Sequence, residues 1–214
     1  MDNRVITIAR SYGSGGRRMG RLLAKELGYE YYDREILRIA SDESGINEEL
    51  FSQVDENRRM PLFRIAREVY TGEVIPPDSD DFISNENLFR YQAKIIRELA
   101  ATRNCVIVGR CADYVLGECS HVVEVVNVFI RADLDKRVRR AMRLYGLSEA
   151  DARKLIQKTD KIRAKYYNAH TNRVWGSAGN YTLVLDTGKL GTDGAAALIE
   201  SAVREITARE ETEL

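Results

Sequence analysis

Apolar positions along the chain form two kinds of segment, short apolar runs and longer stretches with helical spacing. Five short runs rich in β-branched or aromatic residues predict strands at Val5–Ala9, Glu30–Tyr32, Cys105–Val108, Val122–Ile130 and Tyr181–Leu185. Apolar residues three or four positions apart predict helices at Met19–Leu27, Ile36–Ser41, Leu88–Ala100, Leu134–Tyr145, Ser148–Tyr167 and Gly194–Thr207. Strands that alternate with helices are typical of a doubly wound parallel sheet. The third and fourth runs are almost wholly apolar, as expected for parallel strands covered on both faces.

Two stretches interrupt this alternation. Residues 42–87 contain all three prolines and the acidic run 78–81, which predicts a helical insert that includes a loop. Residues 145–180 are strongly basic, and we expect them to form a lid over a bound substrate. The alternative for this second stretch is an amphipathic surface helix with solvated charges. The chain as a whole, residues 1–214, has the length of a single α/β domain with a small insert.

The charge balance limits the partners that the sequence favours. Lysine and arginine together number 33, and so do aspartate and glutamate, so the chain carries no formal net charge. A neutral chain does not favour general binding to nucleic acids or to membrane surfaces. The basic residues are clustered locally instead, as expected for a protein that binds a small anionic substrate.

The cysteines do not form a recognisable framework. Cys105, Cys111 and Cys119 are odd in number and lack C-x-x-C spacing, and only His121 and His170 could assist them. The sequence therefore supports neither a set of disulfides nor a zinc site, and the thiols are interpreted as reduced and mostly buried. No apolar stretch approaches ~18 residues and no signal-like apolar region opens the chain, so a soluble cytoplasmic protein is expected.

The first predicted strand leads into a loop of small residues and then directly into a helix. Such a loop presents backbone N–H groups at a helix N-terminus, where phosphate binds well, and glycine lets the phosphate approach the backbone. Arg17, Arg18 and Arg21 lie near the first turn, where the helix dipole disfavours cations, so a polyphosphate ligand would compensate for them. The alternative is an arginine-rich helix start after an ordinary turn. The predicted phosphate-binding residues are Gly13, Ser14, Gly15, Gly16, Arg17 and Arg18.

The loop matches neither of two familiar nucleotide-binding patterns. For G-x-x-x-x-G-K-[ST], the spacing from Gly15 to Gly20 is followed by Arg21 and Leu22. For G-x-G-x-x-G, Arg18 stands at the third glycine position. The chemistry of the loop, rather than a motif match, supports the phosphate-binding hypothesis.

A second candidate site lies where the third predicted strand ends. Val106–Val108 is followed by Gly109 and Arg110, and Asp113 comes three residues later. Ligands bind at the carboxyl ends of the strands in open α/β sheets, and the planar guanidinium of arginine binds phosphate through two hydrogen bonds. We interpret Arg110 as a phosphate ligand, with an ion pair to Asp113 or another acid as the alternative.

Asp33 and Arg34 follow the second predicted strand, also at a carboxyl end. They would lie close to the glycine loop if the first two strands are neighbours. Asp33 is a candidate for holding a Mg²⁺-bound water or for orienting a phosphate acceptor. An alternative, compatible with these roles, is that Asp33 caps the helix that begins near Ile36.

The segment Thr159–Arg163 is the candidate lid element. Phosphoryl transfer requires that the charge on the transferring oxygens be neutralised, and Lys161 and Arg163 could do this while they exclude water. Most arginines of the preceding predicted helix, Leu134–Tyr145, are expected to face solvent. Three aromatic residues are expected to pack rather than to stack on a base: Tyr166, Tyr167 and Trp175.

Taken together, these segments resemble the cytidylate kinase-like family, relatives of the P-loop nucleoside monophosphate kinases. The resemblance spans nearly the whole chain and is weakest over residues 42–87; its most specific parts are Gly13–Arg17 and Val108–Asp113. It implies a P-loop NTPase-like three-layer α/β fold, with a five-stranded parallel sheet flanked by helices. It also implies a monophosphate-binding insert at 42–87, a lid at 145–180, and transfer of the γ-phosphoryl of ATP to CMP or dCMP with Mg²⁺.

The resemblance assigns roles by position. Residues 13–18 would hold the ATP phosphates. The implied catalytic residues are Arg17, Arg110, Lys161 and Arg163. The implied acceptor-binding residues are Asp33, Arg34, Arg110 and Asp113, with Asp33 also the candidate metal ligand.

Three features depart from the family pattern. Gly16 stands where the P-loop lysine belongs, and Arg17 and Arg18 take the places of a small residue and of the Mg²⁺-binding hydroxyl. Cys111 stands in place of the acid of a Gly-Arg-Asp motif, although Asp113 lies two residues further on. Three hypotheses follow: a CMP or dCMP kinase, a kinase of another small metabolite, and a nucleotide-binding sensor without turnover.

Overall fold

A computed structural model describes residues 3–56, 73–79, 81–117 and 124–213. Its centre is a sheet of five strands, all parallel, in the spatial order β2-β3-β1-β4-β5. The strands are β1 (Arg4–Arg10), β2 (Glu30–Tyr32), β3 (Cys105–Val108), β4 (Glu124–Arg131) and β5 (Leu183–Asp186). The predicted α/β class and five-stranded parallel sheet are therefore confirmed.

Eight α-helices accompany the sheet within the described residues. They are α1 (Gly16–Leu27), α2 (Glu35–Ser44), α3 (Glu48–Glu56), α4 (Asn85–Thr102), α5 (Ala112–Gly117), α6 (Leu134–Tyr145), α7 (Glu149–Thr171) and α8 (Thr187–Glu213). None of the helices in this part of the chain is both long and apolar enough to cross a membrane.

Helices cover both faces of the sheet, so successive strand residues enter different cores. In β3, Cys105 and Ile107 pack with α2, α4 and α5, whereas Val106 and Val108 pack with α1 and α8. All four β3 residues are wholly buried. This is why the strand is a continuous apolar run rather than an alternating one.

The element boundaries differ from the predicted ones in a few places. Helix α1 begins at Gly16, three residues earlier than predicted, because Gly15 takes a left-handed conformation (φ 91°) that starts it. Helix α5 was not predicted, since six residues are too short to show a helical period. Helix α8 is kinked at Gly191, and the predicted start at Gly194 corresponds to its second part.

The two predicted excursions are described in part. Within the insert, residues 42–44 end α2 and residues 48–56 form α3, so helices are present as expected. Residues 57–72 lie outside the described residues, as does Cys119. Residues 149–171 of the basic excursion form a single long helix, α7. The roles of insert and lid, and the treatment of the chain as one domain, stay predictions.

Candidate functional site

The glycine loop between β1 and α1 is fixed from below by hydrogen bonds. Ser11 N–H donates to the carbonyl of Ile130 on β4 at 2.9 Å. Ser14 is wholly buried; its hydroxyl donates to the Ser11 carbonyl at 2.8 Å, and its own carbonyl accepts from the Thr187 hydroxyl at 2.6 Å. The inner polar groups of the loop are thus satisfied by the protein, and its outer face is left to a ligand.

The N-terminus of α1 provides that outer face. The first helical hydrogen bond runs from Met19 N–H to the Gly15 carbonyl at 3.1 Å, so the N–H groups of residues 16–18 have no carbonyl one turn earlier. The first turn contains no acidic side chain. Such a helix N-terminus is suited to a phosphate, and phosphate binding by this loop stays a prediction.

Arg17 and Arg18 leave this turn in different directions. Arg17 Nε lies 2.6 Å from Asp33 Oδ2, at the edge of a large cleft. Arg18 lies on the other side, where its largely exposed guanidinium is 3.9 Å from Asp193. The structure therefore separates two arginines that the sequence placed in one phosphate site.

Two arginines of α6 contact the loop, contrary to the expectation that this helix directs most of its arginines to solvent. Arg137 Nη1 donates to the Tyr12 carbonyl at 3.3 Å, and Arg140 Nη1 donates to the Gly13 carbonyl at 3.4 Å. They are three residues apart and so share one face of the helix. Burial lowers the pKa of Arg140, and the nearby Arg143 and Arg18 lower it further. Such a cluster of cations favours an anionic ligand.

A cavity of about 420 Å³ adjoins this cluster, between α6 and the start of α8. Its lining residues are Gly13, Ala132, Lys136, Arg139, Arg140, Arg143, Thr187 and Gly188. Gly13 of the glycine loop forms part of its wall.

A larger cleft of about 850 Å³ opens on the other side of the loop. Eight of its described lining residues are cationic: Arg10, Arg17, Arg34, Arg110, Lys158, Lys161, Arg163 and Lys165. Asp113 is the one acidic residue among them. The predicted residues Arg17, Arg34, Arg110, Asp113, Lys161 and Arg163 thus come together in one cleft. Its charge suits an anionic ligand.

Asp33 bridges two arginines beside this cleft. Its Oδ2 is 2.6 Å from Arg17 Nε, its Oδ1 is 3.7 Å from Arg10 Nη2, and the residue is only 5% exposed. Strand β2 is not the neighbour of β1, because β3 lies between them. The predicted closeness to the loop holds for another reason, namely that the first turn of α1 extends Arg17 toward Asp33.

The predicted capping role of Asp33 is wrong. Helix α2 begins at Glu35, its N-cap residue is Arg34 in a helical conformation, and no side chain caps it. Asp33 N–H instead donates to the Glu35 carboxylate at 3.0 Å. The Asp33 carboxylate is therefore directed to the arginines rather than to the helix end.

The loop after β3 has an unusual backbone. Gly109, Arg110 and Cys111 all have positive φ (83°, 62° and 53°), a region that side chains other than glycine rarely adopt. Arg110 is 7% exposed and lines the larger cleft, so its predicted place at the carboxyl end of the sheet is confirmed. Strained residues of this kind are concentrated at functional sites.

Asp113 forms a buried pair with an α7 residue. Its Oδ2 accepts a hydrogen bond from the Tyr167 hydroxyl at 2.6 Å. Burial raises the pKa of Asp113, and the hydrogen bond from Tyr167 opposes that shift. Tyr166 and Tyr167 are buried and Trp175 packs against Phe129, as expected. All three also line the larger cleft, so packing rather than stacking on a base stays a prediction for them.

Helix α7 is attached to the glycine loop. Asp160 Oδ1 accepts from Tyr12 N–H at 2.7 Å, and its other oxygen pairs with Arg137. Arg163 Nη1 donates to the Arg10 carbonyl at 3.0 Å, and its guanidinium lies 5.5 Å from the centre of the Tyr12 ring. The predicted lid segment therefore forms one wall of the larger cleft in contact with the loop.

Sequence reasoning missed four contributors to the site: Arg10, Arg137, Arg140 and Asp160 as a loop anchor. One signal was available for Arg10, which is the last residue of a buried strand and directly precedes the glycine loop. Around Arg137 and Arg140 the only sequence signal was a row of basic positions, which does not indicate which face of the helix meets the loop.

The fold and the site together define a class of protein. A parallel sheet in this order, with a glycine loop after β1, is a P-loop NTPase-like fold of the kind found in small-molecule kinases. The shikimate kinase of Bacteroides thetaiotaomicron shares the fold, with 14% identity, 94% of this chain and 98% of that chain covered, and a TM-score of 0.53. An uncharacterized protein from Eubacterium ventriosum shares it with 24% identity, 94% and 99% coverage, and a TM-score of 0.68.

The sequence gives the family. Residues 5–189 match the cytidylate kinase-like family, and the chain belongs to it. The cytidylate kinase of Methanopyrus kandleri is 28% identical over 213 residues, which are 97% of this chain and 96% of that protein. The resemblance inferred from the glycine loop and from Val108–Asp113 is thereby confirmed.

Proposed function

We propose that the protein transfers the γ-phosphoryl group of ATP to a nucleoside monophosphate, with CMP or dCMP the first acceptors to test. The observation that supports this most is the cationic cleft of about 850 Å³ that adjoins the glycine loop. A phosphoryl acceptor must lie in line with the triphosphate, and a cleft directly beside the loop meets that requirement.

Each of the two cavities would bind one of the two substrates. The smaller cavity would take the nucleoside part of ATP, and residues 13–18 would hold its phosphates through the N–H groups that begin α1. The larger cleft would take the acceptor, with Arg34 and Arg110 on its phosphate and Asp113 on its polar groups. Lys161 and Arg163, from α7, would neutralise charge on the transferring oxygens.

Catalysis here would rest on placement and charge rather than on a nucleophile. Phosphoryl transfer spreads charge over the equatorial oxygens, and preorganised cations stabilise that charge. Arg17 is held in place by Asp33, so its guanidinium is oriented before any ligand arrives. Asp33 would thus act mainly by orienting Arg17.

The described residues offer few ligands for magnesium. Within the described residues, no group of three or more His, Cys, Asp or Glu side chains is placed to hold a metal ion. Both Asp33 oxygens face arginines, which compete with a cation for that carboxylate. Mg²⁺ would therefore enter as part of the nucleotide complex rather than in a cage of protein ligands. The role of Asp33 as a metal ligand stays a prediction.

Two alternatives remain as hypotheses. A kinase of another small metabolite would use the same cleft, because cations at this density recognise phosphate or carboxylate on many molecules. A nucleotide-binding sensor without turnover is suggested by Gly16, which stands where a P-loop lysine belongs. The cytoplasmic location also stays a prediction.

The test is coupled ADP release with ATP and Mg²⁺ against CMP, dCMP, UMP, AMP and unphosphorylated metabolites. Arg17→Ala and Arg110→Ala should each lower turnover at least 10-fold, because each removes a charge next to the transferring or accepted phosphate. Arg38→Ala is the matched control, since Arg38 is exposed on α2 and pairs only with Asp42 one turn away among the contacts seen. Turnover with a single acceptor would name the substrate. ATP binding without turnover on any acceptor would favour the sensor.

A further inference from the structure

Arg10 lies between two glycines that belong to two different loops. Its stem crosses over Gly16, the first residue of α1. A Cβ atom on Gly16 would lie 2.8 Å from Arg10 Cβ and 3.1 Å from its Cγ. The Arg10 Cβ is bonded directly to the backbone of β1 and cannot rotate away, so a side chain at position 16 would clash with Arg10 unless the backbone moved.

The guanidinium of Arg10 also leaves no room for a side chain in the loop after β3. Its guanidinium occupies the place that a Cβ on Gly109 would take. Its Nη2 lies 3.7 Å from Asp33, the side chain is 14% exposed, and the residue lines the larger cleft. The glycine loop and the Gly109 loop therefore both lack a side chain where Arg10 passes.

Positions 10 and 16 correspond to two defined positions of the P-loop pattern. When the second glycine of G-x-x-x-x-G-K-[ST] is set at Gly15, the first glycine falls at position 10 and the lysine at position 16. This chain has Arg10 and Gly16 at those positions. Relative to that pattern, the glycine and the cation are interchanged. The close approach of Arg10 to Gly16 means that a side chain at position 16 would require Arg10 to move.

On the basis of the proposed function, we propose that Arg10 is the phosphate-contacting cation of this site, in the role that a lysine at position 16 would have. Both positions reach the space beside the loop, the lysine from the helix start and Arg10 from the strand end. A guanidinium brings a planar pair of donors to the phosphate, and Asp33 orients it together with Arg17. Position 16 is then a glycine because Arg10 leaves no room for a side chain there, and the missing lysine does not mean that the site has lost its function.

The experiment is titration calorimetry with inorganic tripolyphosphate and Mg²⁺, accompanied by thermal unfolding. Arg10→Gln should bind about 10- to 100-fold more weakly than the wild type, because it loses a charge-assisted contact, while Arg10→Lys should stay within about 5-fold. Gly16→Lys in the presence of Arg10 should lower the melting temperature and weaken binding. The double variant Arg10→Gly with Gly16→Lys should bind at least about 10-fold more tightly than Arg10→Gly alone.

Two controls match these changes. Arg38→Gln removes an exposed arginine, and Gly179→Lys adds a lysine where a Cβ would meet open space. Both should leave binding and stability unchanged. If Gly16→Lys does not fold, the comparison of Arg10→Gln with Arg10→Lys still decides the question.

The proposal is overturned if folded Arg10→Gln binds tripolyphosphate as the wild type does, or if Gly16→Lys binds as well or better with Arg10 present. Different results would contradict the proposed function and the role of Arg10. Absence of ADP release from the wild type, with tripolyphosphate binding that depends on Arg10, would remove the kinase and keep the role of Arg10. Equal ADP release by the wild type and Arg10→Gln would keep the kinase and remove the role of Arg10.

Discussion

The carboxylate of Asp160 accepts a hydrogen bond from the backbone N–H of Tyr12 at 2.7 Å, although the two residues are 148 positions apart. The same carboxylate pairs with Arg137, whose guanidinium donates to the Tyr12 carbonyl. One acidic side chain of α7 thus ties α6 and the glycine loop together. The wall of the larger cleft and the phosphate loop are mechanically connected.

Removal of this carboxylate should loosen the loop. We expect Asp160→Ala to lower the free energy of unfolding by about 2 kcal/mol, because the Tyr12 N–H loses its acceptor and the largely buried Arg137 loses its carboxylate partner. Asp160→Asn should cost about half as much, since the amide oxygen can still accept from Tyr12. Urea unfolding measures both. Asp135→Ala is the control, because Asp135 pairs with Arg153 on the surface; equal losses at positions 135 and 160 would contradict the anchoring role.

The buried carboxylate of Asp33 should matter more for rate than for stability. Asp33→Asn removes the charge that orients Arg17 and Arg10, so we expect turnover to fall at least 10-fold in the coupled ADP assay. The stability loss should be about 1 kcal/mol, because half-exposed Arg17 can be solvated instead. Asp42→Asn, in an exposed pair with Arg38, should change neither quantity. Unchanged turnover in Asp33→Asn would remove Asp33 from the site.

Gly15 faces both a backbone and a steric constraint. Its φ is +91°, and a Cβ there would overlap the guanidinium of Arg140 and lie 2.9 Å from Thr192. Gly28 also has a positive φ, +68°, but a Cβ there would meet nothing within 4 Å. Substitution of Gly28 therefore measures the backbone strain without the steric overlap. We expect Gly28→Ala to cost about 1 kcal/mol from backbone strain alone, and Gly15→Ala to cost about 2–3 kcal/mol. Gly15→Ala should also weaken tripolyphosphate binding. Equal costs for the two variants would show that Arg140 moves aside freely.

His170 should make stability depend on pH. It stacks on Phe89 with ring centres 4.1 Å apart, and burial lowers its pKa to about 4. Between pH 4 and the unfolded pKa of about 6.5, the unfolded state binds more protons, so stability should fall as the pH drops through this window. The effect is fully developed near pH 4, at about 3 kcal/mol, and absent well above pH 6.5. Denaturant unfolding of wild type and His170→Phe from pH 4.5 to 7.5 measures it; parallel pH profiles would contradict it.

Sequence patterns predicted the structure correctly where the relevant residues are adjacent or recur at the spacing of a strand or helix. The apolar run Cys105–Val108 predicted a strand covered on both faces, and β3 is buried on both faces. The glycine loop predicted a helix N-terminus open to an anion, and the N–H groups of residues 16–18 begin α1. The arginine after Gly109 was expected at the carboxyl end of the sheet, where Arg110 lies. Each of these features is determined by residues adjacent in the chain.

The composition of the site could be predicted only in part. The sequence indicated that Arg17, Arg110, Lys161 and Arg163 would share a site, and they line one cleft. It expected the arginines of α6 to face solvent, because a row of charges does not show which side of a helix meets a loop more than 100 residues away. Asp33 was placed near the loop on the condition that β1 and β2 are neighbours, whereas β3 separates them.

The sequence by itself determined the succession of most strands and helices, the glycine loop that leads into α1 and the family to which the chain belongs. These properties follow from hydrophobic periodicity and from glycine, which act over a few residues. Only the tertiary structure decided that Arg10 excludes a side chain from Gly16 and Gly109, and that Asp160 anchors Tyr12. Such relationships depend on how separate elements pack. Packing fixes the direction of each side chain through contacts between residues far apart in the chain.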